Sequence, residues 1–298
     1  IMEGLGQVYE AEQQFEKAMQ LYETSLKILK ENDSRTKGET TLDDAEFFVM
    51  QGKYNCAIEK YYQSLIITRK QGDPKLEGKI IHRIGEVYRK LEQYEKALKY
   101  LDDSKRLFGS IRDRENMGRV LCEIGLVYRD KKDFKKSIRM INGSIKIFKK
   151  VNNIFRESWA TEHLAAVHLM NQDWRKSIHA LNHSVELNPK SAFSHLSLAL
   201  CYRLVNDNKR YDREFAEAEK ILMKDGTGSY DLACLEAIRG DKKKALMLLE
   251  NALENDLAIR KFFKDDPHFI ELKSERIFRD LVMKYTDYSD INIYSWNI

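Results

Sequence analysis

Prolines are scarce, three in 298 residues, and glycines number only fourteen beside 33% charged residues. Proline breaks helix interiors and glycine loosens them, so their scarcity on a charge-rich background suits an all-helical chain. No run of eighteen apolar residues exists, which excludes a membrane-spanning helix. No secretory leader is visible. There is no HExxH, no glycine-rich phosphate loop, no GxSxG and no isolated pair of carboxylates in an apolar setting. The chain therefore offers no catalytic constellation, and we expect no enzyme. Charge is nearly balanced, 51 Lys and Arg against 47 Asp and Glu. The four cysteines, Cys56, Cys122, Cys201 and Cys234, are far apart and form no CxxC pair. They read as small buried apolar side chains in a reducing compartment, hence a cytoplasmic protein.

What the chain does have is a repeat. Gly85-Glu86-Val87-Tyr88 returns forty residues later as Gly125-Leu126-Val127-Tyr128. The underlying pattern is a small residue, an aromatic three further on, another aromatic six beyond it, then a small residue after three more. A bulky and a small residue follow at four and seven. One full copy runs Gly85, Tyr88, Tyr94, Ala97, Leu101, Ser104. Seven windows carry the pattern in full or in part, beginning at Gly6, Ala45, Gly85, Gly125, Ala165, Ala199 and Ala233. The first five are spaced by 39 or 40 residues and the spacing drops to 34 after Pro189. Self-similarity at a fixed period means stacked supersecondary units.

Offsets of three, four and seven set these residues on one stripe of a helix. Gly, Ala or Ser must stand where two backbones approach, because a larger side chain overpacks the contact. The aromatics fill the space beside them. Turns such as Lys90-Leu91-Glu92-Gln93 and Lys131-Lys132-Asp133 separate the helices. We therefore expect an all-α solenoid of about seven helix-turn-helix units over 1–255, and an end cap over 256–298. In the cap, Asp265-Asp266-Pro267 reads as a helix start with Pro at the first helical position. Phe269, Ile270, Leu272, Ile277, Phe278 and Leu281 would give that helix an apolar face. The tail holds Tyr285, Tyr288, Tyr294 and Trp296 without helical period. It packs on the last helices or frays, or else lies in a groove as a self-ligand. Ile1 falls inside the first helix of the first unit, so a longer parent chain is expected.

The pattern resembles the tetratricopeptide repeat family across nearly all of 1–255. The lengthened repeats are similar to those of kinesin light chains, of adaptors that orient mitotic spindles, and of many bacterial regulators. The resemblance implies a right-handed superhelical solenoid without enzymatic activity or cofactor. Its first helices would line a concave groove that binds a protein or peptide. Carried over position by position, that groove holds Lys79, His82, Arg83, Glu86, Arg89, Arg119, Glu123 and Arg129. It continues through Trp159, Glu162, His163, Phe193 and Leu196. It is expected to be basic in its middle and apolar further on, and so to suit a partner with acidic and apolar elements. A chaperone-tail carboxylate clamp is not expected. Lys79 and Arg83 match it, but Glu3, Gln7 and Asp43 stand where Lys, Asn and Asn are required.

Two other readings compete. Residues 112–150 carry twelve Lys or Arg against five Asp or Glu, which raises RNA binding. Interleaved Glu86, Glu123 and Glu162, and the lack of an aromatic-basic platform, argue against it. The chain could equally be the sensor arm of a larger signalling or nucleotide-switch protein. His179 and His183, four apart on one helix, raise metal binding. A third and a fourth ligand are wanting, and His168 holds an aromatic position of the repeat, so no metal site is expected.

Overall fold

The computed structural model describes residues 37–223, 228–255 and 259–286. Among them are thirteen α-helices, three short 3-10 helices and no strand. The helices are α1 (Lys37–Met50), α2 (Tyr54–Gln71), α3 (Pro74–Lys90), α4 (Tyr94–Ser110), α5 (Arg114–Asp130), α6 (Phe134–Lys150) and α7 (Ile154–Met170). They continue as α8 (Trp174–Leu187), α9 (Ala192–Leu204), α10 (Asn208–Leu222), α11 (Ser229–Arg239), α12 (Lys242–Asn255) and α13 (Arg276–Thr286). Within each unit consecutive helices pack against one another in pairs, which is an all-α helical repeat. The first repeat window, from Gly6, and the tail beyond Thr286 lie outside the described residues.

The forty-residue period has a local cause. Helices α3 to α7 are each 17 residues long. A three-residue turn separates each from the next. The middle residue of each turn is left-handed, Glu92, Arg112, Lys132, Asn152 and Gln172, and Gly52 and Gly72 continue the series toward the N-terminus, one every twenty residues. After α3, the Glu92 amide donates to the Arg89 carbonyl and the Gln93 amide to the Tyr88 carbonyl, both at 2.9 Å. These two bonds satisfy carbonyls that a helix end leaves open, and they require the left-handed residue between them. The deeper carbonyl belongs to a buried ring-bearing residue near the helix end. It recurs at Phe108, Phe148, His168 and Tyr202, which accept from Asp113, Asn153, Asp173 and Asp207.

The same third residue then caps the following helix. Asp113 accepts from the Asn116 amide at 3.0 Å, Asn153 from Arg156 at 3.0 Å and Asp207 from Arg210 at 3.2 Å. Each such cap contributes about 1 kcal/mol. One short Asp- or Asn-bearing turn thus ends one helix and begins the next.

The described residues divide into two compact units between Lys131 and Lys132. In the first, α1 to α5, the small positions are buried: Ala45, Ala57, Gly85, Ala97 and Ser104. A methyl group on Gly85 would lie 2.7 Å from Leu101 Cγ, and one on Gly78 would lie 2.8 Å from the Phe108 ring. Only glycine permits those approaches. The aromatics sit beside them, with Tyr88 stacked on Tyr100 at 5.3 Å between centroids. Tyr62 hydrogen-bonds Tyr100. Cys56 departs from the expectation of burial. It stands exposed at the start of α2, because Ala57 and Ile58 take the inward side of that turn.

In the second unit, α6 to α13, one apolar core runs from Ala165 through Leu181, Leu198, Tyr202 and Leu249 to Phe263, Phe269, Phe278 and Leu281. The helix expected after Asp265-Asp266-Pro267 is not there. Pro267–Phe269 is a single 3-10 turn, Ile259–Lys261 and Phe263–Asp265 are two more, and the α-helix starts only at Arg276. Phe263 and Phe269 are both fully buried, yet six residues apart they would face different sides of an α-helix. Successive tight turns bring both into the core instead. Ile277, expected on the apolar face, is exposed.

Candidate functional site

In the first unit the side chains projecting from α1, α3 and α5 form a ladder of ion pairs in two sets. Arg83 reaches Glu46 on α1 at 3.0 Å and Glu86 on its own helix at 2.7 Å. Arg89 bonds Glu123, and Asp130 at 2.8 Å, both on α5. Arg129 lies 2.8 Å from Asp130. Arg119 donates to Asn116 at 3.3 Å. First helices of neighbouring repeats are thus stitched together by their polar side chains, which places Arg83, Glu86, Arg89, Glu123 and Arg129 on one face.

The ladder alters its expected electrostatics. Arg83, Arg89 and Arg129 each meet at least one carboxylate, so the face alternates sign instead of presenting a block of positive charge. Exposure separates its members. Arg83 is 39% exposed, Arg129 19% and Arg89 17%. His82 and Glu123 are buried beneath the ladder. Burial pushes the His82 ring below its ordinary value, so it is neutral at pH 7. Burial also pushes the Glu86 carboxyl up, but the guanidinium groups of Arg83 and Arg89 outweigh this and hold it low. Lys79 points outward and is exposed.

In the second unit α7 and α9 carry the other expected residues. Trp159 meets the edge of His163 at 4.7 Å, and the Arg156 guanidinium lies 5.7 Å from the Trp159 ring. Phe155 and Ile154, one turn earlier on α7, are 70% and 58% exposed. They were not singled out from sequence, since they precede the positions that the repeat pattern marks. Glu162 accepts from Ser194 at 3.0 Å, from Ser184 at 3.3 Å and from Ser191. Those hydroxyls hold its carboxylate, and among the described residues no Lys or Arg forms an ion pair with it. Phe193 is 36% exposed and stands edge-on to His268 at 5.8 Å. Leu196 belongs to the core, not to the surface.

A second polar assembly was not legible in sequence at all. Ser197 Oγ lies 3.0 Å from His268 Nε2, His268 Nδ1 lies 2.7 Å from Asp266 Oδ1, and the Tyr230 hydroxyl donates to Asp266 Oδ2 at 2.5 Å. The order serine, histidine, aspartate is that of a nucleophile relay. Ser197 is fully buried inside a helix, however, so no substrate reaches it. Cys234 lies against the same group.

The histidines weighed as ligands are engaged elsewhere. His183 pairs with Glu157 at 3.0 Å, and His168 is buried at its aromatic position. Within the basic segment, Lys131 pairs with Glu95 in the first unit. In the second, Lys132 pairs with Asp265 at 3.4 Å and Lys136 with Asp133 at 2.9 Å. These are solvated surface pairs. Glu3 and Gln7 lie outside the described residues, and Asp43 is exposed on α1.

Residues 76–150 match the sequence model of a family described as tetratricopeptide repeat, and residues 2–36 match a second model with the same description. No curated protein matches the chain by sequence. Among solved structures, the apo form of RapI superposes with a TM-score of 0.66 at 14% identity, over 93% of this chain and 82% of its own. BtubC from P. vanneervenii gives 0.54 at 12% identity, over 59% of this chain and 76% of its own. A signal transduction ATPase with numerous domains from Pyrococcus horikoshii, which carries a tetratricopeptide repeat sensor, gives 0.54 at 17% identity. That match covers 73% of this chain and 35% of the other. At such identities the likeness is one of fold.

Proposed function

Because this chain belongs to the tetratricopeptide repeat family, we propose that it is a non-enzymatic interaction scaffold whose first helices hold a peptide or a partner domain. The observation that carries the reading is the ladder from Glu46 to Asp130. Its arginines are paired, and Arg83, at 39% exposure, is the most accessible of them. A carboxylate on a partner exchanges for Glu46 at Arg83 or for Asp130 at Arg129, because the planar guanidinium fork accepts one carboxylate as well as another. Such exchange costs little desolvation, since the arginine is already dehydrated on one side. Specificity then comes from geometry and not from net charge.

The apolar part of recognition falls to the second unit. Phe155, Trp159 and Phe193 are the large partly exposed side chains of α7 and α9, and aromatic anchors carry most of the energy at protein interfaces. Acidic elements of a partner suit the first set and apolar elements the second. Four cysteines without a disulfide fit a reducing compartment such as the cytoplasm. A role as the sensor arm of a larger signalling protein is compatible with this reading, and one solved structure of the same fold bears such a sensor.

The test is selection of binding peptides from a displayed random library, followed by titration calorimetry. Arg83→Gln with Arg129→Gln is the informative variant. Charge reversal at Arg83 would set a third carboxylate beside Glu46 and Glu86 and disturb the fold itself. We expect enriched acidic-aromatic peptides whose affinity falls at least tenfold in the variant, at unchanged helicity. Undiminished affinity would overturn the assignment. Enrichment of nuclease-sensitive material alone would favour the nucleic-acid reading.

A further inference from the structure

Two clusters of potential metal ligands lie within the described residues: His82, Glu86 and Glu123 in the first unit, and Cys234, Asp266 and His268 in the second. Their electrostatics differ. Around the first, Arg83 holds Glu86 and Arg89 holds Glu123, so an incoming cation would meet two guanidinium groups. Around the second there is no such occupant. Among the described residues no Lys or Arg forms an ion pair with Asp266 or with its neighbour Asp231. The partners of Asp266 are the Tyr230 hydroxyl, the His268 ring and the His268 amide at 2.9 Å. The result is a largely buried carboxylate with a thiol and an imidazole beside it and, among the described residues, no Lys or Arg paired with it.

We propose that Cys234, Asp266 and His268 bind a zinc ion, which clasps the turn Pro267–Phe269 onto helix α11. Sulfur, nitrogen and oxygen donors together suit borderline-soft Zn(II), which takes Cys, His and Asp at roughly 2.0–2.3 Å. The three donor atoms lie within 4.8 Å of one another. Tetrahedral ligands stand roughly 3–4 Å apart at those bond lengths, so side-chain movement of about 1 Å closes the site.

The supporting shell is already built. With zinc on His268 Nδ1, the ring proton sits on Nε2 and donates to Ser197 Oγ, now 3.0 Å away. Asp266 coordinates through the oxygen that faces His268, while its other oxygen keeps the Tyr230 hydroxyl. Hydrogen bonds of this kind orient metal ligands and fix the imidazole tautomer. Cys234 binds as a thiolate and releases one proton for each zinc taken up. Three protein ligands leave the fourth position to water. Asp266 keeps 14% of its side chain exposed, which supplies the entry.

The test uses the whole purified chain, stripped with a chelator and titrated with cobalt(II) or zinc(II) chloride alone. We expect one ion per chain and a thiolate-to-cobalt charge-transfer band in the near ultraviolet that zinc bleaches. Cys234→Ser and His268→Gln each abolish the band, and Cys56→Ser, at the exposed cysteine, leaves it intact. Tyr230→Phe removes only the supporting hydrogen bond and weakens zinc at least about tenfold against a chromophoric chelator. Circular dichroism of each metal-free variant separates loss of ligation from loss of fold. Absence of the band in the wild-type chain, or its persistence in Cys234→Ser, would overturn the proposal.

Discussion

Gly85→Ala isolates the steric rule on which the repeat rests. In an exposed helix the change stabilises by about 1 kcal/mol, since alanine loses less backbone entropy. At Gly85 the new methyl would stand 2.7 Å from Leu101 Cγ, 2.9 Å from Leu101 Cδ2 and 3.4 Å from the Ala97 carbonyl oxygen. Carbon atoms rest at about 3.5–4.0 Å, so Leu101 must retreat by about 1 Å. It is fully buried between α3 and α4 and has nowhere open to go. Overpacking of this kind costs ~1–3 kcal/mol, which cancels or outweighs the propensity gain. Gly109→Ala is the internal control, because nothing lies within 4 Å of a methyl there. The two substitutions should therefore differ by ~1–3 kcal/mol in urea denaturation, with Gly109→Ala the more stable. A cycle with Leu101→Ala sharpens the test. That truncation alone costs ~2–5 kcal/mol, and it should cost ~1–2 kcal/mol less in the Gly85→Ala background, where the added methyl partly fills the space. Equal stabilisation at both glycines, or strict additivity in the cycle, would refute the argument.

Two further outcomes follow from the polar interior. Arg89→Met strands the nearly buried Glu123 and should cost ~3–5 kcal/mol in thermal and denaturant unfolding. Arg89→Met with Glu123→Leu should recover most of that loss, because Asp130 retains Arg129. His195 donates from Nδ1 to Glu214 at 2.7 Å and from Nε2 to the Pro189 carbonyl at 3.1 Å, which only the doubly protonated ring can do. The Glu214 hydrogen bond raises its pKa above the ordinary 6.5, while burial lowers those of His82 and His168. The His195 contribution to stability is therefore complete below about pH 6.5 and is lost as pH climbs through the raised value. Proton NMR should show the His195 ring titrating above His82 and His168, and the reverse order would contradict the assignment.

The packing was legible because it is enforced at every copy. Gly85, Ala97 and Ser104 had to be small wherever the backbones meet, and the structure buries each of them. Asp133 was legible as part of a turn, and the structure shows it capping the next helix as Asp113, Asn153 and Asp207 do at other boundaries. The site was legible only as a row of positions. Sequence placed Arg83 and Arg129 on first helices, but Glu46, the partner of Arg83, lies one repeat away and its reach depends on how the helices pack. The cap was misread because Phe263 and Phe269 follow no helical period, and 3-10 turns carry no apolar stripe. Cys234 and His268 are more than thirty residues apart, so only folding brings them together. Cys56 was expected inside because cysteine usually is; one residue of helical phase puts it outside.

The central claim is that partners bind on the first helices. Hydrogen–deuterium exchange of the chain with and without a selected peptide tests it most directly. The account predicts slowed exchange along α3, α5, α7 and α9, with α4, α6 and α8 unchanged. Protection confined to those second helices would contradict it.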